Sequence, residues 1–261
     1  PVYDKPMIYY SLSTLMLADI TEILIITTPS DLNAFKNLLG DGSDWGISLT
    51  YEIQPKPEGI AQALIIGEKH ICENPCALML ADNIFYGSGF SEKLQNATNS
   101  RNNTLFSYTV SDPERFGVCE LDKDRRVISL EEKPKIPKSN LAVTGLYFYD
   151  DNVSEIAKSI KPSKRGELEI IDLLNIYKSK KKLSAELIGR GGSWLDTGSI
   201  KDLNSASNFI STIEERQGLK IACLEEIALS KKWINSKDIK NSISFYGNCN
   251  YSDYLKSLIN V

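Results

Sequence analysis

Along the first 110 positions, apolar residues alternate between two rhythms, and each rhythm predicts an element. Ile8, Leu12, Leu15 and Met16 share one face of a predicted helix over 6–20. Glu22-Ile23-Leu24-Ile25-Ile26-Thr27 reads as a buried strand. Pro29 opens a helix whose apolar positions are Leu32, Phe35, Leu38 and Leu39, and the following Gly40-Asp41-Gly42-Ser43 is turn chemistry. Ser48 to Ile53 alternates and reads as a strand. A helix over 60–69, a strand over 77–82, a helix over 89–100 and a strand over 103–110 complete the run. Strand and helix in turn is the pattern of parallel βαβ units, with right-handed crossovers and helices on both faces.

Beyond residue 110 the spacing changes. Strands over 117–121, 127–130 and 142–149 lie close together, with a turn at Asp122-Lys123-Asp124. Such spacing predicts an antiparallel or mixed section carrying substrate-contacting loops. Helices over 151–160 and 169–178, short strands over 183–188 and 194–195, and a long amphipathic helix over 200–217 follow. From residue 219 the pattern is of short helices rich in Ile227, Trp233, Ile234, Tyr251, Tyr254 and Leu258. The fold class expected is α/β, a Rossmann-like mostly parallel sheet with helices on both faces, an antiparallel section and a small C-terminal helical appendage. The division expected is 1–218 for the α/β domain and 219–261 for the appendage, packed on the core or on another subunit.

Composition narrows the function classes. With 42% hydrophobic and 25% charged residues, the 261-residue chain is ordinary for a soluble globular protein. A net charge of −4, with both signs mixed, argues against a broad nucleic-acid surface. No apolar run approaches the roughly 20 residues that span a bilayer. Five cysteines without a C-x-x-C pair, and the single His70, make a zinc site a poor reading. The cysteines read as reduced thiols of a cytoplasmic protein. A lone histidine at a predicted helix end also leaves little for Ser-His or Cys-His chemistry, so acidic and lysine residues are the better candidates.

Four stretches carry candidate chemistry. The run Ala77 to Leu80 reads as a buried parallel strand, and it delivers Asp82-Asn83 to the carboxyl end, where open α/β sheets bind ligands. Asp82 there has the chemistry to hold Mg²⁺, although from this stretch alone a turn cap is the better reading. In Gln54 to Ala63, prolines stiffen a loop. Gly59 admits a flat ligand to the backbone, and Gln54 offers a donor and an acceptor to a pyrimidine edge; a plain strand-to-helix loop remains the alternative. Glu131-Glu132-Lys133-Pro134 ends a strand; Lys133 suits a phosphate and Glu132 suits sugar hydroxyls, or both are solvated surface. In Gly189 to Gly198, Asp196 either supplies a second metal carboxylate or N-caps the helix near Ile200. Two Asp residues, a Lys and no usable His suggest phosphoryl-type transfer, in which an ionised phosphate nucleophile needs no general base.

Taken together these residues resemble the short bacterial glucose-1-phosphate thymidylyltransferases of the sugar-nucleotidyltransferase family. The resemblance runs end to end. It is carried by Asp4 to Tyr10, Leu39 to Gly42, Gln54 to Ala63, Asp82 to Gly87, Asp112 to Val118, Glu131 to Pro134, Val143 to Asp150, Arg165 to Ile170, Trp194 to Gly198 and Ile213 to Leu219. It implies that dTTP and α-D-glucose 1-phosphate give dTDP-glucose and pyrophosphate with Mg²⁺, the product feeding L-rhamnose and other deoxysugar pathways. By motif, Gln54 and Gly59 would hold thymine, and Asp82 and Asp196 the metal. Asn83, Gly117, Glu132 and Val143 would contact glucose, Lys133 the sugar phosphate, and Tyr147 and Trp194 would line the site. A homo-oligomer, tetramer or dimer, is implied, with a regulatory nucleotide site near the C-terminal helices and Tyr86-Gly87.

The departure is at the front. The family's first strand, its G-G-x-G-T-R loop and a nearby Lys do not occur before Pro1. That strand is expected to be central in the sheet, and its loss would leave interior backbone groups unpaired at roughly 1–3 kcal/mol each. The expectation is that the 261-residue stretch alone is unstable and inactive, and that Pro1 marks a fragment. Two rivals stand beside the main reading. One is a sister enzyme using UTP or CTP, the other a non-catalytic nucleotide-sugar binding remnant.

Overall fold

Strand and helix alternate through the first half of the chain, as the apolar rhythm predicts. The computed structural model describes residues 1–100 and 102–259. In order the elements are α1 (Met7–Leu17), β1 (Glu22–Thr27), α2 (Leu32–Leu39), β2 (Ser48–Ile53), α3 (Gln62–Ile66), α4 (Glu68–Ile71), β3 (Cys76–Met79), β4 (Asn83–Gly87), α5 (Phe90–Ser100) and β5 (Asn103–Thr109). Then come β6 (Gly117–Leu121), β7 (Val127–Glu132), β8 (Leu141–Tyr149), α6 (Val153–Ser159), α7 (Ile170–Ser179), β9 (Leu183–Ile188), β10 (Gly192–Asp196) and α8 (Ile200–Gln217). The chain ends in α9 (Leu224–Ser230), α10 (Ser236–Tyr246) and α11 (Asn250–Leu258).

The result is a mixed α/β fold built round one large sheet, ordered β7-β6-β8-β5-β9, with β3 added beside β8. β8 is its spine, buried almost throughout. β5 runs along one edge of β8, while β6 and β3 share the other: Val118 faces Ala142, and Leu78 faces Tyr147. Two smaller sheets accompany it. β1 and β2 pair in parallel, and β4 and β10 pair antiparallel.

Three details differ from the predicted pattern. β3 runs antiparallel to β8 rather than parallel, and it is half-buried because only one of its edges is paired. The chain then breaks at Leu80 and starts a separate strand, β4, within the stretch read as one strand and its polar end. The single helix predicted over 60–69 is two, parted at Gly67. A side chain there would meet the Ala63 carbonyl at 3.1 Å and the end of the Leu24 side chain from β1 at 3.2 Å, a tight fit.

The open edges of β1 and β3 flank a groove of about 510 Å³, lined by Ile23, Leu24 and Ile26 on one side and Cys76 to Met79 on the other. Among the described residues no strand joins them. Two apolar clusters lie apart. One packs α6 and α7 on the large sheet through Tyr149, Leu173, Leu174 and Tyr177. The other joins α1 and β1 to the C-terminal helices through Leu12, Met16, Ile23, Leu224, Ile239 and Leu255.

Candidate active site

β4 and β10 build a wall of carboxylates. Their antiparallel register sets Asn83 opposite Asp196 and Phe85 opposite Trp194. The Asp82 carbonyl accepts from the Thr197 N–H at 2.9 Å and from its hydroxyl at 2.7 Å, which ties the two chain segments at the two acids. Asn83 braces this wall from below. It is 3% exposed. Its Oδ1 accepts from Trp194 Nε1 at 2.6 Å and from the Gly145 N–H at 2.9 Å, and its Nδ2 donates to Asp82 Oδ1 at 2.7 Å. The side chain expected on glucose is therefore engaged inside the protein, orienting Asp82. Gly145 must be glycine, since a Cβ would lie 2.8 Å from the Asn83 amide.

For Asp196 the capping alternative fails. Asp196 does not cap α8; Ser199 does, its hydroxyl accepting from the Asp202 N–H at 3.1 Å. Asp196 instead accepts from the Gly198 N–H at 3.1 Å. Burial, together with the Asp82 and Asp202 carboxylates, pushes the Asp196 carboxyl above its ordinary range, while Gly198 and Arg115 pull it back. Asp82 is half-buried, and among the described residues its carboxylate accepts from its neighbour Asn83 alone. No group of three or more His, Cys, Asp or Glu side chains among the described residues gathers as a metal cage. Two neighbouring carboxylates of like charge, both half-buried, fit a Mg²⁺ that takes its other ligands from phosphates and water.

β6 and β7 build the second wall. Gly117 pairs with Glu132, and a Cβ at Gly117 would press on Glu132 Oε2 at 3.2 Å and on Ile171 at 2.9 Å. Burial raises the Glu132 carboxyl; Glu169 adds to the rise and Lys133 opposes it. Lys133 itself stands at φ +43°, a left-handed conformation uncommon outside glycine. Its N–H is held by the Phe116 carbonyl at 3.0 Å, and its ammonium is 3.9 Å from Glu132. The lysine side chain is exposed at the strand end.

β8 joins the walls. Val143 and Tyr147 are buried on it. Burial raises the Tyr147 phenol, and the Glu132 and Asp82 carboxylates raise it further, which places that hydroxyl within the field of both walls.

The loop of Gln54 and Gly59 is attached through a third segment. Gln54 Nε2 donates to Gln62 at 2.6 Å and to the Gly59 carbonyl at 3.3 Å. Gly59, at φ +106°, is demanded by the chain itself: a Cβ would meet the Leu168 backbone at 2.4 Å. Leu168 donates to Glu58 and accepts from Ala61, pinning this loop to the residues before α7. There sits Arg165, to which the sequence reading gave no role. Its Nη2 reaches both oxygens of Glu169 at 2.9 Å, and Ser163 supports Glu169 at 2.7 Å. The Glu132 carboxylate acts on the Arg165 cation more weakly than Glu169 does. The only sequence signal of Arg165 was an Arg-Gly-Glu loop before an apolar helix.

A mixed α/β fold that offers neighbouring carboxylates at one strand end and a lysine at another has the chemistry to handle phosphates. Comparison with known proteins agrees. The model of the family described as "Nucleotidyl transferase" matches residues 1–213. The chain belongs to the nucleotidyl transferase family of enzymes. It is 52% identical to the glucose-1-phosphate thymidylyltransferase of Neisseria gonorrhoeae, over 99% of this chain and 90% of that protein. Identity to the enzyme of the same name from Mycobacterium tuberculosis is 45%, again over 99% and 90%. A crystal structure from Bacillus anthracis, provisionally assigned as a glucose-1-phosphate thymidylyltransferase and in complex with a sucrose, superposes with a TM-score of 0.73 at 39% identity. It covers 80% of this chain and 84% of that one. A UDP-glucose pyrophosphorylase complexed with UDP-glucose shares the fold, with a TM-score of 0.71 at 24% identity over 82% and 89%.

Proposed function

We propose that this enzyme transfers a thymidylyl group from dTTP to α-D-glucose 1-phosphate, releasing pyrophosphate and forming dTDP-glucose. The observation that carries the reading is near-complete alignment at 45–52% identity with relatives of that activity. The two walls of the site accord with it.

In this reading a phosphate oxygen of the sugar phosphate attacks the α-phosphorus of the nucleotide. The new O–P bond forms as the bond to the β-phosphate bridge breaks, and pyrophosphate leaves. The attacking oxygen is already ionised, so no side chain need remove a proton. Lys133 holds the sugar phosphate as a point charge, with Arg165 adding positive field beside it. Glu132 accepts from sugar hydroxyls, and Gly117 and Val143 leave room for the ring. Gln54 and Gly59 take the thymine edge, and Tyr147 and Trp194 close the floor. A bound Mg²⁺ would neutralise the triphosphate, and Asp82 and Asp196 are the residues that would hold it. Asn83 keeps Asp82 aimed. The working form is a homo-oligomer, dimer or tetramer.

Full-length natural protein incubated with Mg²⁺, dTTP and glucose 1-phosphate is expected to release pyrophosphate. Good turnover with UTP or CTP and none with dTTP overturns the thymidylyl assignment. Lys133→Ala is expected to lower kcat/KM for the sugar phosphate by roughly 10²- to 10³-fold. Light scattering of the purified protein tests the oligomer; a monomer at working concentration contradicts it.

A further inference from the structure

Outside the walls themselves, one side chain bridges them. Arg115 lies in the short turn Pro113–Arg115 just before β6. Its Nη1 donates to Asp112 Oδ2 at 2.9 Å, and its Nη2 donates to Asp202 Oδ2 at 3.1 Å. Asp202 belongs to the first turn of α8, and the same Oδ2 accepts from the Ser199 hydroxyl at 2.7 Å. Arg115 thus fastens the strand that starts at Gly117 to the helix that starts just after Asp196, across 87 residues of sequence.

Each end of this bridge leads directly to a wall. On one side, the Phe116 carbonyl holds the Lys133 N–H at 3.0 Å, and Gly117 pairs with Glu132. On the other, Gly198 next to the Ser199 cap donates to Asp196 at 3.1 Å. The guanidinium lies 5.3 Å from the Phe116 ring centre, and Phe116 packs edge-on against Trp194 at 5.1 Å, which holds Asn83. From the carboxylate wall to the phosphate-holding lysine, the path through Arg115 has few links, and each is a hydrogen bond, an ion pair or an aromatic contact.

We propose that Arg115 is a positioning residue: the Asp112–Arg115–Asp202 clamp sets the separation of Lys133 from the Asp82–Asp196 pair. The proposal rests on the transfer reaction above. In that reaction the attacking phosphate, on one wall, and the nucleotide, on the other, must meet in line. A misplacement of about 1 Å in such an alignment costs up to roughly 10²-fold in rate. Arg is suited to the task because its planar fork reaches two carboxylates at fixed angles, which an ammonium cannot do. The clamp is half-exposed, with Arg115 at 51% and Asp202 at 29%, so it adds little to global stability. Alignment and stability are therefore separable here.

The test uses full-length enzyme and four variants: Arg115→Ala, Arg115→Lys, Asp202→Asn and the Arg115→Ala/Asp202→Asn double. Asp202→Asn keeps an oxygen for Ser199. Arg115→Ala is expected to lower kcat about tenfold or more, with KM for each substrate within about threefold. Arg115→Lys is expected to fall between Ala and wild type. The double variant is expected to lose little beyond Arg115→Ala, since both changes open the same clamp. Calorimetric titration with dTDP-glucose is expected to give an unchanged number of sites per chain, and the melting temperature is expected to hold. A kcat within twofold of wild type for Arg115→Ala overturns the proposal. So does a loss matched by a falling number of binding sites, which is the mark of a merely structural residue. Wild-type enzyme that binds dTDP-glucose but turns over no nucleotide overturns the reaction itself, and the positioning role with it.

Discussion

The large sheet and the β1–β2 pair are held in opposite ways. In the large sheet, β8 has neighbours on both edges, and its residues are buried almost end to end. Backbone pairing and side-chain packing support each other there, with α7 laid across through Leu173, Leu174 and Tyr177. β1 and β2 are only two parallel strands, an arrangement too small to stand alone. They are held from outside, by α1 and by helices from the far end of the chain. Leu224, Ile239 and Leu255 supply the apolar face, and at its centre a buried Glu225 accepts from Tyr246 at 2.9 Å and Tyr251 at 2.5 Å. A small sheet can thus be kept in place by packing from residues roughly two hundred positions away, as Ile23, Ile25 and Leu49 sharing one cluster with Leu224, Ile239 and Leu255 illustrate.

That contrast invites perturbation. Leu255→Ala empties a fully buried position of the second cluster and is expected to cost about 2–5 kcal/mol in denaturant unfolding. If the two sheets are separately supported, hydrogen exchange in this variant speeds first at β1 and β2, while β5 and β8 stay protected. Uniform loss of protection would show a single cooperative unit and dissolve the contrast.

Glu225→Ala removes the carboxylate that accepts from two phenols and is expected to cost about 2–4 kcal/mol, again read in β1–β2 protection. In the other core, Tyr177→Phe removes one hydrogen bond, 2.7 Å long, to Asp150. About 1–2 kcal/mol is expected, without change in β1 exchange.

The smallest effect is one of pH. Burial raises the Glu226 carboxyl above its ordinary range, against the Tyr254 hydroxyl that hydrogen-bonds it at 2.8 Å. The folded state therefore holds this proton more tightly than the unfolded chain. The stability it contributes is full below the unfolded pKa and is lost as pH rises through the folded one. Glu226→Gln is expected to flatten that decline, seen by comparing urea midpoints at pH 4 and pH 7 for variant and parent.

Much of this was legible in the residues. The helical spacing over α1 and α8, and the apolar runs of β1 and β5, announced themselves because their signals are local and repeat at the element's own period. The acids Asp82 and Asp196 stood out as polar residues ending apolar runs. Three features were hidden. β4 follows β3 after a break too short to change composition. Gly145 and Trp194, the partners of the Asn83 side chain, lie 62 and 111 residues away and were not legible beside it. Arg115 had no assigned role, because its distant partner Asp202, 87 residues on, is not named by anything near it in sequence.

The sequence by itself determined the succession of elements, the chemical types available and the family, since each depends on short-range pattern or on residue identity. Only the tertiary structure decided which residues share a site. The bond from Thr197 to Asp82 spans 115 residues, and the one from Trp194 to Asn83 spans 111. Such contacts follow from strand order and direction, with β3 antiparallel to β8 and β4 paired to β10. Order and direction are settled by how all the elements bury their apolar faces together, which no local stretch encodes.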